Sequence, residues 1–156
     1  MIAQEVLDLL AMRGESLSIA ESVTGGAIAT AITDIPGSSH SFLGGLVTYA
    51  TESKVALLGI PRALIDRHGV VSEEIATAMA RAVRTKMGST WSIATTGVAG
   101  PGPHHGIEAG TVWIAISGPD EAAELLELGD IGRDHVRSGA VAGALTLLSR
   151  ILRADS

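Results

Sequence analysis

Short apolar blocks broken by polar residues and glycines run the length of this chain, and their spacing predicts alternating helices and strands. Ile2, Val6, Leu9 and Leu10 fall on one face of a helix over Ile2 to Arg13, with Gly14 as its stop. Leu17-Ser18-Ile19-Ala20 alternates with the period of a strand and runs into a Ser/Thr/Gly turn. Gly26 to Thr33 is small and alanine-rich, which predicts a helix packed closely on a sheet, and Asp34-Ile35-Pro36-Gly37-Ser38-Ser39 has the chemistry of a loop. A second strand is expected over Phe42 to Tyr49, although Gly44-Gly45 weakens the pattern. Thr51 to Leu58 reads as a short helix ended by Gly59, and Pro61 opens another. Ser72 is a good N-cap with Glu73 and Glu74 behind it, and Ile75, Met79, Val83 and Met87 mark the buried face of the helix that follows. Trp91 to Thr96 predicts a third strand, Thr111 to Ile116 a fourth and Ala123 to Leu128 a fifth. Asp134 is expected to cap a closing helix with Val141, Leu145, Leu148 and Leu152 on one side.

Strands alternate with helices as far as the third strand, and the last two strands then follow on short connections. That order predicts a largely parallel sheet between helical layers, with an antiparallel element near the end. The 156 residues contain no repeat, charge run or long linker, so one domain over 1–156 is expected.

Composition narrows the function. There is no cysteine, which excludes disulfides, thiolate metal sites and a cysteine nucleophile. The net charge of −6 and only four aromatic side chains argue against a nucleic-acid surface. No apolar run approaches the roughly 18–20 residues of a membrane helix, and the first residues lack the basic start of a signal peptide. A cytoplasmic protein without a nucleic-acid or membrane partner is expected. The five histidines include no i, i+4 pair, so no metal site is expected; His104-His105, in a Gly/Pro loop, is the nearest approach to one.

Two strand-to-glycine transitions carry the candidate chemistry. Ser22-Val23-Thr24-Gly25-Gly26 leaves the first strand and opens a helix, where free N–H groups and close backbone approach suit an anion or a serine nucleophile. The same residues equally suit a plain helix cap by Ser22 or Thr24. Gly97-Val98-Ala99-Gly100-Pro101-Gly102, after Thr95-Thr96, forms either a stiff turn or a second wall of the same cleft, if the two strands are parallel neighbours. Tyr49 and Lys54 flank the end of the second strand, as a proton-transfer pair or as a half-buried ring and a solvated charge. Arg133 has the fork to clamp a phosphate, or pairs with Asp130 or Asp134 at the surface. The Rossmann and P-loop fingerprints are absent.

Taken in order, several of these segments resemble the CinA C-terminal domain family, the nicotinamide mononucleotide deamidases. They are Ala20-Glu21-Ser22-Val23-Thr24-Gly25-Gly26, Thr33 to Ser39, Val47-Thr48-Tyr49 with Glu52 and Lys54, and His68 to Glu74. Thr96 to Gly102, Gly110-Thr111-Val112-Trp113 and Gly129-Asp130 with a downstream arginine continue the match. The resemblance implies a three-layer αβα sandwich with a five-stranded mixed, mostly parallel sheet. It implies hydrolysis of the carboxamide of nicotinamide mononucleotide to nicotinic acid mononucleotide and ammonia, without a cofactor. By resemblance Ser22 is the nucleophile, assisted by Tyr49 and Lys54. Thr24, Gly25, Gly26, Thr96, Gly97, Ala99, Gly100 and Arg133 would bind the substrate, and the protein would form a homo-oligomer, a dimer being favoured. The chain departs from the family pattern at Val23, usually Cys, and at Thr51, usually Asn. It also departs at Ile107-Glu108-Ala109, usually Lys-Pro-Val, and in the residues inserted before Arg133. Those departures keep open two other functions, a catalytically silent nucleotide-binding module and an amidohydrolase with a different substrate.

Overall fold

The computed structural model describes residues 1–154. Its helices are α1 (Ile2–Arg13), α2 (Ala27–Thr33), α3 (Thr51–Leu58), α4 (Arg62–His68), α5 (Glu73–Met87) and α6 (Arg133–Ala154). Its strands are β1 (Leu17–Glu21), β2 (Phe42–Val47), β3 (Trp91–Gly97), β4 (Thr111–Ser117) and β5 (Ala122–Glu127). The strands form one sheet in the order β2-β1-β3-β4-β5. β1 pairs parallel with both β2 and β3, whereas β4 runs antiparallel to β3 and β5. Four strands therefore point one way and β4 alone runs back, the mixed and mostly parallel sheet expected from the order of the elements. Among the described residues no helix is long and apolar enough to cross a membrane.

Side-chain alternation along the strands divides the core into two layers. Ile19, Ile93 and Ile116 sit side by side across β1, β3 and β4, on the face covered by α1, α2 and α6. One residue further along, Ala20, Ala94 and Ala115 form a matching row on the opposite face. That row lets α5 lie close to the sheet on Ile75, Ala76, Met79, Ala80 and Val83, and the Ser92 hydroxyl donates to the Ala80 carbonyl at 2.5 Å. Burial of these side chains is the main stabilising term, each large one contributing about 1.5–3 kcal/mol.

Local chemistry explains most element ends. Ser72 caps α5, its hydroxyl accepting from the Ile75 N–H at 3.2 Å, and Gly14, Gly59 and Gly88 close α1, α3 and α5 in the left-handed region. Asp134 is not the cap of α6; it lies inside the first turn, where a carboxylate still complements the helix dipole. The Gly44-Gly45 pair is a structural device and not a break in β2. The β1–β2 register shifts there, with Leu17 opposite Phe42 and Ser18 opposite Gly44, and a Cβ on Gly45 would lie 2.0 Å from the Ile19 carbonyl oxygen. β2 also stops at Val47, short of Tyr49, which releases Thr48 and Tyr49 to bend across the end of β1.

Gly45→Ala should therefore separate β2 from β1 and cost about 3 kcal/mol, the upper end for overpacking. Chemical denaturation reads this directly; a change within experimental error would show that the close approach is not needed.

Candidate active site

The strand order reverses at β1: β2 lies to one side of it and β3, which follows β2 in the chain, to the other. Loops leaving β1 and β3 diverge at such a point and open a crevice beyond the carboxyl ends of the strands. Parallel pairing of β1 with β3 places the Ser22 turn and the Gly97–Gly102 loop side by side, and Ser22 extends the ladder by donating its N–H to the Thr95 carbonyl at 3.1 Å. The crevice is a cavity of about 450 Å³, within the range of small-molecule sites.

Ser22 and Lys54 meet at the base of this cavity. Lys54 Nζ lies 2.8 Å from Ser22 Oγ, 2.7 Å from the Thr48 carbonyl oxygen and 3.2 Å from that of Tyr49. Lys54 is only 2% exposed, and its three partners are uncharged oxygens. Burial without a carboxylate disfavours the ammonium, which lowers its pKa to about 8. The solvated-charge reading of Lys54 is thus overturned. α3 follows directly on the bend at Thr48–Ala50 and turns its Lys54 side chain back beneath the bend. The separation of Ser22 and Lys54 in sequence gave no sign of this contact.

Tyr49 enters the site through its backbone. Its carbonyl faces Lys54 Nζ and, at 3.5 Å, Ser22 Oγ. Its side chain is 59% exposed, and the phenol oxygen accepts from Arg133 Nη2 at 3.0 Å. The phenol, expected to assist proton transfer, meets the guanidinium at the cavity rim, and no hydrogen bond joins it to Ser22 or Lys54 among the described residues. Arg133 also donates to the Gly100 carbonyl at 2.5 Å, so it ties the Tyr49 bend to the glycine loop. Neither Asp130 nor Asp134 holds Arg133: Asp130 accepts the Gly102 N–H at 3.1 Å, and Asp134 lies against His135.

The other expected binding residues divide into two groups. Thr96, Gly97, Ala99 and Gly100 line the cavity with Arg133, although the Thr96 hydroxyl is occupied by the Val70 carbonyl at 2.7 Å. Thr24, Gly25 and Gly26 do not line it. The Thr24 hydroxyl is buried against that of Thr95 at 2.8 Å, and the Thr24 carbonyl accepts from Arg137 at 3.0 Å. Gly25 has φ +59 and leaves room for the Arg137 guanidinium, 3.4 Å from where a Cβ would be; Gly26 has φ +104 beside Val47. These residues hold the turn from behind. Thr51 does line the cavity, and Glu108 does not.

The helix-cap reading of Ser22 and Thr24 also fails: Gly26 occupies the N-cap position of α2, and the side chain that takes its free N–H groups is that of Glu21. This carboxylate is 1% exposed and accepts the Ile28 N–H at 2.9 Å and the Ala29 N–H at 3.0 Å, one on each oxygen. Glu21 fills the helix N-terminus that was a candidate anion site, so a ligand anion has to be held elsewhere. The signal was present in the sequence, as an acid ending a strand with no other charged residue, shortly before a helix without an acidic first turn. Val70 and Val71 also line the cavity; they lie in the His68 to Glu74 segment that matched the family pattern, but no site role was expected of them.

An αβα sandwich with a buried serine–lysine pair in its strand-end crevice is the class of protein these features define. The chain belongs to the CinA family, whose C-terminal domain model matches residues 1–152. A "CinA-like protein" of Frankia casuarinae is 44% identical over 147 residues, covering 94% of this chain and 34% of that protein. A "putative competence-damage inducible protein" of Limosilactobacillus reuteri is 42% identical over 155 residues, covering 97% of this chain and 37% of that protein. The chain thus spans little more than a third of the length of these relatives. Among solved structures, competence/damage inducible protein CihA from Agrobacterium tumefaciens matches with a TM-score of 0.92 at 33% identity, covering 97% of this chain and 93% of that one. Competence damage-inducible protein A from Klebsiella pneumoniae matches with a TM-score of 0.94 at 30% identity, covering 97% and 95%.

Two stability measurements check this account of the site. Glu21→Ala should cost about 1–2 kcal/mol through loss of the α2 cap, read by denaturant titration; no change would mean that the cap is dispensable. For Lys54 the folded pKa of about 8 lies below the roughly 10.4 of an unfolded lysine, so between those values the unfolded chain binds more protons and stability rises with pH. Lys54→Met removes this dependence. Its stability relative to the parent should be highest below pH 8 and should decline as pH rises towards about 10.4; a flat difference would contradict a lowered pKa.

Proposed function

We propose that this chain is a serine-dependent amidohydrolase that converts nicotinamide mononucleotide to nicotinic acid mononucleotide and ammonia. The observation that carries the reading is the 2.8 Å contact between Lys54 Nζ and Ser22 Oγ in a buried setting. A neutral lysine amine has two N–H groups and one lone pair. The Thr48 and Tyr49 carbonyls accept the two N–H groups, which leaves the lone pair directed at the Ser22 hydroxyl. With a pKa of about 8, roughly a tenth of the lysine is neutral at pH 7, enough for a general base.

Ser22 Oγ attacks the carboxamide carbon while Lys54 takes its proton. The tetrahedral intermediate collapses as Lys54 returns that proton to the leaving nitrogen, which departs as ammonia and leaves an ester on Ser22. Water then attacks the ester and gives one proton to Lys54, which passes it to the departing Ser22 Oγ, releasing the carboxylic acid with the Ser22 hydroxyl restored. The Ser22 N–H is bonded to Thr95, so it cannot serve the developing oxyanion. The next donor along, the Val23 N–H, makes no hydrogen bond within the described residues, and Val23 lines the cavity beside Ser22, so it is an available oxyanion donor. The Arg133 fork at the rim suits a phosphate-bearing substrate.

Incubation with nicotinamide mononucleotide should release ammonia, with kcat/KM rising with pH to a plateau above about 8 as Lys54 loses its proton. Ser22→Ala should lower kcat by at least about a thousandfold. Absence of ammonia release, or full activity in Ser22→Ala, would overturn the assignment.

A further inference from the structure

On a chain with 17 acidic and 11 basic side chains, the cavity stands out because no Asp or Glu among the described residues lines it. The ionisable side chains in its lining are Lys54, Tyr49, Arg133 and His104. Lys54 lies at the base beside Ser22; Arg133 sits at the rim, bonded to Tyr49 and Gly100. His104 belongs to the same rim, two residues beyond Gly102. The nearby acids are placed elsewhere: Asp130 is bonded to the Gly102 N–H, and Glu108 lies outside the lining.

His104 is held by its backbone and left free at its ring. Its N–H and carbonyl pair with those of Ile107, both at 2.9 Å, across a turn in which His105 has φ 48. The His105 ring packs edge-on against it with centroids 4.2 Å apart. The imidazole nitrogens make no hydrogen bond within the described residues, and a neutral imidazole keeps one N–H to donate. Arg133 uses two of its five N–H groups on Gly100 and Tyr49, so three remain. We propose that His104 and Arg133 together form a phosphate-monoester subsite at the cavity rim, with His104 setting the preference for phosphorylated over unphosphorylated ligands.

The ligand class follows from the number and kind of free donors at the rim. A carboxylate is satisfied by the arginine fork alone, whereas a phosphate monoester has three terminal oxygens and accepts from the fork and from a separate N–H at once. The α2 N-terminus is closed to this group because Glu21 fills it. The proposal takes the phosphate-bearing ligand from the function proposed above, but its test does not need turnover.

Calorimetric titration with ribose 5-phosphate and nicotinic acid mononucleotide, each beside its unphosphorylated counterpart, tests the subsite on the parent protein and on loop variants. His104→Ala should weaken both phosphorylated ligands by roughly tenfold, the value of one hydrogen bond to a charged group, and leave the unphosphorylated pair unchanged. His104→Gln, which restores an N–H donor, should recover most of the loss, and His105→Ala should change nothing. Equal weakening of both members of a pair, no weakening, or a parent protein that does not prefer the phosphorylated ligand would overturn the proposal. A preserved phosphate preference without ammonia release from nicotinamide mononucleotide would overturn the hydrolase reading and leave the subsite standing. Ammonia release with unaltered KM in His104→Ala would do the reverse.

Discussion

Glu21 stands where three parts of the molecule join. Its carboxylate takes the two free N–H groups at the start of α2, and its own carbonyl accepts the Thr48 N–H at 2.8 Å beyond the end of β2. The Thr48 carbonyl in turn receives Lys54 Nζ, and Lys54 reaches Ser22, the residue after Glu21. One buried acid thus fixes the helix that follows the nucleophile loop and the bend that carries the lysine carbonyls. A buried carboxylate is costly unless its oxygens are satisfied, and two backbone donors at a helix N-terminus satisfy them without an ion pair among the described residues. This leaves Lys54 without a counter-charge, which is the condition for its lowered pKa.

The site therefore keeps opposite charges apart. Glu21 faces the α1–α2–α6 side of the sheet, since alternation puts it with Leu17 and Ile19. Lys54 lies beneath the Thr48–Tyr49 bend, whose carbonyls hold it. Were the carboxylate and the ammonium to pair, the lysine would keep its proton and could not act as a base near neutral pH. The same separation governs the cavity, where Asp130 is turned to the Gly102 N–H, the exposed Glu108 lies outside the lining, and the lining carries only basic or neutral groups on an acidic protein. A focused positive site on a negative surface favours a small anionic ligand and discourages polyanions.

Much of the fold was legible because the apolar periods of 2 and 3.6 are local properties of the chain. The helix over Ile2 to Arg13, the Ser72 cap and all five strands follow from such patterns. Misplacements occurred where a neighbour in space decided the outcome. Gly44-Gly45 looked like a weak strand because the requirement for it is the Ile19 carbonyl on β1. Ser22 and Thr24 looked like caps because the capping side chain, that of Glu21, acts from seven and eight residues before the N–H groups it holds, outside the usual capping distance.

The sequence by itself determined the class of fold, the two glycine-rich loops and, through the order of its motifs, the family. It determined which residue types were at hand for chemistry, Ser22 and Lys54 among them, but not their relation. Only the tertiary structure placed Lys54 Nζ on Ser22 Oγ, directed the Tyr49 phenol to Arg133, and moved Thr24, Gly25 and Gly26 behind the site. The reason is physical. Helix and strand periods depend on near neighbours along the chain, whereas burial, a lost counter-charge and a lowered pKa depend on which distant residues the sheet order brings together.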